Sequence, residues 1–551
     1  MNRLLAVGLA WVLVGCAHRS QFTSAEELRE LTRTQKPERA FTEVAIDVPR
    51  YELAGPFAED AQPHETATPW GALLAGSAKG QFEADGALGC AARELARFSL
   101  QHSGTASDSL QAFVLGRCGS AGSRASAHTL TGTAPQTVSD EQLWTQWRPD
   151  VEQMFRKIEP GELAGVALAR SGEKAWLLLL RQRPLARLAP SARTFDALGQ
   201  VIIEGTLKAP GNKLEALINQ GELGFAECEA DVHARLPAFR FTCIGKKGDA
   251  QAWLTIGAWE EGRVLGKEVA RILVWPSGQP GNVYVAPAYA QAGPPTAEAF
   301  VDRVNAVRGT AGMQPLSLVV PQSQTAASVA PYFFGGRDGP MKDKIALGLM
   351  AGWDVGGLVA SGSFTADWVP QADSGALLSG MLEDPGGRRS LLNPKASHIA
   401  AGLVTEASTL GALISTYELF GAVDPVEAPR KLIAALTAAR AKLGKGPAEW
   451  IANPSDFYVR VSKALLSNEL SPDQAAQAFM RETVNFTNRP VSGLTQTLSN
   501  LDDLKWADSV MQHPAPQVLI FVGLQKAPGE AWAQYVVLVL LLEGAPGGPQ
   551  A

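Results

Sequence analysis

Histidine and cysteine are scarce in this chain of 551 residues: seven of the first and five of the second. The histidines are scattered singly, no CxxC pair occurs, and His233 stands alone between Cys228 and Cys243. A structural zinc site needs four such ligands converging, so no metal is expected, and no cofactor. The GxSxG elbow, HExxH, the P-loop and the Rossmann glycine fingerprint are missing too, which removes the enzyme signatures that a sequence shows most plainly. Concentrated positive charge is also absent. Lys+Arg number 49 against 55 Asp+Glu, a net charge of −6, and a phosphate backbone needs a basic face, so no nucleic-acid partner is expected. One basic run, Arg430, Lys431, Arg440, Lys442 and Lys445, is spread along an expected helix and reads as a solvated face. Long apolar runs are missing as well. Leu4 to Val14 and "YVVLVLLL", Tyr535 to Leu542, are both too short for a membrane-spanning helix.

What is present is ordinary core-forming material, 46% hydrophobic and 19% charged, in a length that suggests three or four domains. The N-terminus carries Arg3, then the apolar run from Leu4 to Val14, then Gly15 and Cys16. A short positive region, a short apolar core and a small residue make a secretory signal. "LVGC", Leu13 to Cys16, resembles a bacterial lipobox. That resemblance implies cleavage before Cys16, lipid on its sulfur and a membrane-tethered mature protein. Ala17 gives no aspartate-type retention signal, so the expected location is the outer membrane, periplasmic or surface-facing. Beyond Cys16, four cysteines remain, and four allow three pairings. Export favours disulfides over thiols, and local pairing joins Cys90 to Cys118 and Cys228 to Cys243.

The pattern along the chain is that of an α/β multi-domain protein. Residues 1–15 read as the signal peptide and 16–50 as a charged tether with room for one short helix. Residues 51–190 read as an α/β domain. "GALGCAARELARFSLQ" places Leu88, Ala91, Leu95 and Phe98 at helical spacing. "SDSLQAFVLGRCG" opens on a Ser/Asp cap, so Cys90 and Cys118 would staple two helices together. "SDEQLWTQWRPDVEQMFRKI" is a third helix, with Ser139 and Glu141 near its start, and "ELAGVALARSGEKAWLLLLRQ" is a hairpin. Residues 191–290 hold short β runs between Gly, Pro and Lys-Gly turns and read as a small β-rich domain. Helices return in 291–421. Residues 422–551 read as a helical extension, strongly helical to about Met511, closed by an apolar hairpin. The first α/β domain and this last segment share an order of helices and closing hairpin. Each carries Ala-Trp, at Ala175-Trp176 and Ala531-Trp532, which leaves an internal repeat open.

The stretch "EDPGGRRSLLNPKASHIAAGLV", Glu383 to Val404, resembles the "SPGHRxNLLNPxxtxiGvGva" pattern of the CAP superfamily, also called the SCP domain: cysteine-rich secretory, antigen 5 and pathogenesis-related proteins. "VNAVRGTAGMQPLSL" and "QTAASVAPYFF" resemble that family's first two helices. The resemblance covers about residues 296–420 and implies an α-β-α domain. The family's cleft carries histidines and glutamates able to hold a divalent metal. On this chain the helix histidine falls at Val329, the motif histidine at Gly387, and the glutamate of the "GEN" turn at Trp353, with Asp354 adjacent. His398 reads as a surface or half-buried histidine. The resemblance thus implies a degenerate domain without its metal ligands, with Trp353, Asp354, Gly387 and Arg388 as the candidate cleft and no catalytic residue assigned.

The expected function is a non-enzymatic, membrane-anchored envelope lipoprotein with a protein, glycan or lipid partner. The rival is a cell-wall or peptide hydrolase working with non-family residues such as Asp354 and Glu383. What separates the two is whether convergent polar groups line a concave pocket near Trp353, Asp354 and Gly387.

Overall fold

The structure is a computed structural model. It describes residues 22–34, 45–55, 57, 69–78, 81–135, 137–189, 193–246, 251–261, 263, 265–276, 281–335, 339–406, 408–452 and 455–542. The expected signal peptide and Cys16 lie outside the described residues. The chain is a mixed α/β, multi-domain protein that divides into two compact units: residues 1–350 with 363–416, and residues 351–362 with 417–551.

The first sheet has the strand order Glu83–Ala84, Leu163–Ser171, Lys174–Gln182, Ser126–Thr133. Its hairpin is apolar at almost every position because both faces are covered. Leu177 and Leu179 pack with Trp70, Leu74, Leu143 and Val151, while Leu178 and Leu180 pack on the other face with Leu88, Leu95, Phe98 and Phe113. Side chains of a strand alternate between faces, so two covered faces demand an unbroken apolar run. Helix Gly86–His102 starts where Asp85 accepts a hydrogen bond from the Leu88 amide at 2.8 Å. It lies so close to the sheet that a Cβ on Gly165 would sit 2.2 Å from the Gly89 nitrogen. Helix Asp108–Arg117 is capped by Ser107, and the Cys90–Cys118 disulfide joins the two helices with a Cα–Cα distance of 5.7 Å. Helix Asp140–Phe155 opens with a capping box of Ser139 and Gln142.

A sandwich follows. One sheet has the order Glu229–Ala230, Ala238–Ile244, Gln200–Leu207, Ala186–Leu188. The other has Gly224–Glu227, Lys213–Gln220, Ala252–Trp259, Lys267–Pro276, Thr194–Phe195. Val201, Ile203, Phe239 and Phe241 of the first sheet meet Ala216, Ile218, Leu254, Ile256 and Ile272 of the second. Cys228 and Cys243 form the second disulfide. By alternation, Glu215, Asn219, Trp253, Thr255 and Arg271 lie on the far face of the second sheet.

The remaining sheets have the orders Ser317–Leu318, His398–Glu406, Thr409–Leu419, Val359–Val369 and Glu449–Trp450, Gln517–Gln525, Gln534–Leu542, Val491–Leu498. Numbered along the chain within each module, both sheets run 1-3-4-2, and so does the first sheet. In all three, a two-residue first strand pairs parallel with the third. In all three, the helix that follows it (Gly86–His102, Val320–Gly335, Ser455–Leu466) packs on that third strand.

The likeness reaches single side chains. Arg308 ends helix Ala297–Thr310, nine positions before Ser317, and is fully buried. It donates to the carbonyls of Gln314, Leu391, Asn393 and Ala396 at 2.8, 2.8, 3.0 and 3.4 Å. Arg440 lies nine positions before Glu449 in helix Glu427–Lys442. It donates to the carbonyls of Gly446, Val510, Met511 and His513 at 2.8, 2.6, 2.8 and 2.8 Å. Each guanidinium closes its module by satisfying carbonyls of a turn and of a second helix end. The corresponding position of the first module is Leu74, a core residue.

Two readings of the sequence need correction. Arg440 belongs to no solvated face, because its charge is spent on this buried clamp. And the strongly helical reading of 422–511 misses a strand: helices Glu427–Lys442, Ser455–Leu466 and Pro472–Thr487 are there, but Val491–Leu498 pairs antiparallel along its length with Gln534–Leu542. Its "VSGLTQTL" is polar because it is an edge strand with half-exposed faces. The expected tether also contains a helix, Ala25–Thr34. Leu28 is buried, and the Thr32 carbonyl accepts from the Tyr332 hydroxyl at 3.1 Å.

Candidate functional site

The residues singled out in the CAP-like stretch do not gather in one unit. Trp353 and Asp354 belong to the second, where the Lys526 ammonium lies 5.8 Å from the centre of the Trp353 ring. Gly387 and Arg388 belong to the first, and both are buried. Val329 is fully buried in its helix. His398 is half-buried, its Nδ1 is 2.9 Å from the Ser397 hydroxyl, and burial lowers its pKa.

The structure instead turns the stretch from Glu383 to Arg389 into a seam against the far face of the second sandwich sheet. Helix Ser374–Glu383 stops at Asp384, whose carboxylate caps the next helix, Pro385–Leu391. It accepts from the Gly386 and Gly387 amides at 2.7 and 3.3 Å and from the Thr255 hydroxyl at 3.2 Å. Glu383 accepts from the Trp253 indole at 3.3 Å and lies 4.0 Å from the Arg271 guanidinium, while its carbonyl takes a 2.7 Å bond from Asn219. Arg388 donates to the Leu382, Gly221 and Gly224 carbonyls and to the Tyr289 hydroxyl, all within 3.0 Å. Arg389 pairs with Glu215 at 2.9 Å. Gly387 has no room for a side chain, since a Cβ there would sit 1.9 Å from the Met381 carbonyl oxygen.

Electrostatically the seam gathers acidic side chains around Arg271, whose guanidinium carbon lies 4.5 Å from the centre of the Trp253 ring. Burial raises the pKa values of Glu268, Glu383 and Asp384, and pushes Asp367 up to about 7. Burial works against the charge of Arg271, but Asp384, Glu268, Glu383 and Asp367 outweigh it and raise its pKa. Glu268 also accepts from the Ser123 hydroxyl. Among the described residues no group of three or more His, Cys, Asp or Glu could hold a metal ion, and no helix is long and apolar enough to cross a membrane.

Of this seam, Glu383, Gly387 and Arg388 stood out in the sequence. Arg271, Asp367 and Glu268 did not. The readable signal was a charge inside an apolar strand: Arg271 in "VARILVW" and Asp367 in "SFTADWV".

No protein-family model matches the chain, and no curated protein matches it. Among solved structures, the chain is similar to an extracellular protein containing an SCP domain from Bacillus anthracis str. Ames. Identity is 13% over 42% of this chain and 88% of that one, with a TM-score of 0.17.

Proposed function

We propose that this protein is an outer-membrane lipoprotein, tethered by lipid on Cys16, whose 291–421 region is a CAP-like domain converted from a metal site to a binding scaffold. The observation that carries this reading is the seam. Where the family pattern has ligands, this chain has Val329 in the core and Gly387 against a carbonyl. The charged residues of the motif are consumed in holding the domain to its sandwich. Glu383, the residue a hydrolase reading would use, is engaged by Trp253 and Arg271. The shared strand order and the paired clamps of Arg308 and Arg440 extend the reading to three copies of one scaffold.

Two experiments test it. Cys16→Ser should shift the protein from the membrane to the soluble envelope fraction or block its processing; unchanged fractionation and migration would remove the anchor. Calorimetric titration of the full-length protein with zinc should give no stoichiometric tight binding. Tight binding lost in Asp354→Ala or His398→Ala would overturn the scaffold reading and restore a catalytic one.

A further inference from the structure

The second unit has a cavity of about 260 Å³ between helix Glu427–Lys442, the turn Leu501–Asp503 and strand Gln534–Leu542. Leu432 and Leu504 give it apolar walls. Trp506 and Tyr535 line it with aromatic surface, and Lys431, Asn500 and Asp502 with polar groups. The Tyr535 ring is held edge-on to Phe420, with centroids 4.8 Å apart. Asn500 accepts from the Asp502 amide at 3.1 Å through its Oδ1 alone. Among the described residues the Lys431 ammonium, the Asp502 carboxylate, the Asn500 amide nitrogen, the Trp506 indole N–H and the Tyr535 hydroxyl have no protein partner. The cavity is therefore bordered by three or more donors, one charged acceptor and two aromatic side chains, with none of this hydrogen-bonding capacity used to hold the fold.

We propose that this cavity binds one neutral sugar ring of an envelope glycan. The volume lies just under the usual range for ligand pockets and fits a single ring rather than a chain. A pyranose offers both things the lining asks for: an apolar C–H face for Trp506 or Tyr535, and hydroxyls that donate to Asp502 while accepting from Lys431 and Asn500. Lys431, Asn500 and Asp502 are exposed, so an acyl chain laid in the cavity would displace their water without replacing its hydrogen bonds, which is costly. The inference rests on the binding-scaffold reading and gives it a partner class; the zinc and fractionation experiments report on that reading separately.

The test is saturation-transfer NMR and calorimetry on the full-length protein in detergent, with glucose, N-acetylglucosamine and L-alanine as probes. A sugar of this size should bind with a dissociation constant on the order of 1 mM. Trp506→Ala should weaken it roughly tenfold or more. Because Trp506 also packs on the core, the exposed Asp502→Ala and Lys431→Ala are the cleaner variants, each weakening binding by roughly tenfold with an unchanged urea midpoint. The proposal is overturned if neither sugar binds at about 50 mM, roughly fifty times that constant. It is equally overturned if L-alanine binds more tightly than either sugar, or if sugar binding is untouched by Asp502→Ala and Lys431→Ala.

Discussion

Gly387→Ala is expected to destabilise the first unit by about 3 kcal/mol or more, and Gly387→His to leave no folded protein. The alanine Cβ would fall 1.9 Å from the carbonyl oxygen of Met381 and 2.7 Å from its carbonyl carbon. Both are backbone atoms, so no side chain can swing aside. The turn cannot relax cheaply either. Asp384 holds the Gly386 and Gly387 amides, and Arg388 holds the Leu382 carbonyl at 2.6 Å. Moving the helix Pro385–Leu391 outward would also strip Arg388 from Gly221 and Gly224. Gly309→Ala is the control. It lies in a helix, with nothing within 4 Å of its Cβ, and should be neutral or stabilising by about 0.5–1 kcal/mol. Urea denaturation of both variants reads the difference, and a Gly387→Ala midpoint equal to that of Gly309→Ala would sink the argument. The position where the CAP pattern carries its histidine thus cannot receive one here.

Much of the architecture was legible because local chemistry determined it. The hairpin of the first module and the closing hairpin show as apolar runs because both faces of each are covered. The first helices show through the spacing of Leu88, Ala91, Leu95 and Phe98 and through the caps at Ser107 and Ser139. The edge strands Ser126–Thr133 and Val491–Leu498 were invisible for the opposite reason. They are half-exposed and polar, and only pairing with a distant strand makes them strands.

The seam was unreadable on the same grounds. Glu383 is tied to Trp253, Arg388 to Gly221 and Asp384 to Thr255, partners more than a hundred residues away. The repeat shows a subtler limit. Ala175-Trp176 lies inside a strand, whereas Ala531-Trp532 precedes one, so the matching dipeptides are not equivalent positions. The likeness is carried by strand order, and it includes a middle module that the dipeptide comparison left out.

Asp367→Asn should stabilise the protein at pH 8, by up to about 4 kcal/mol, and by less than half as much at pH 5. Asp367 is buried in the strand Val359–Val369, and its pKa is raised to about 7 from an ordinary 3.8. Burial is the main cause. The Asp108 charge adds to it, while Arg124, the Trp368 amide and Arg271 oppose it. Between those two values the folded state keeps a proton that the unfolded chain has lost. Stability therefore falls as pH rises from about 4 to 7, and the full penalty is present above 7. Asparagine carries no charge at any pH. Its carbonyl oxygen can still accept the 2.8 Å bond from the Trp368 amide, so the substitution removes the cost and keeps the contact. The neighbouring Glu268, Glu383 and Asp384, also raised, give the wild-type protein a residual slope of the same sign. Urea midpoints measured from pH 5 to 8 should accordingly fall in both proteins, and more steeply with Asp367 present. Two parallel curves would show that this carboxylate is not buried as a charge in the seam.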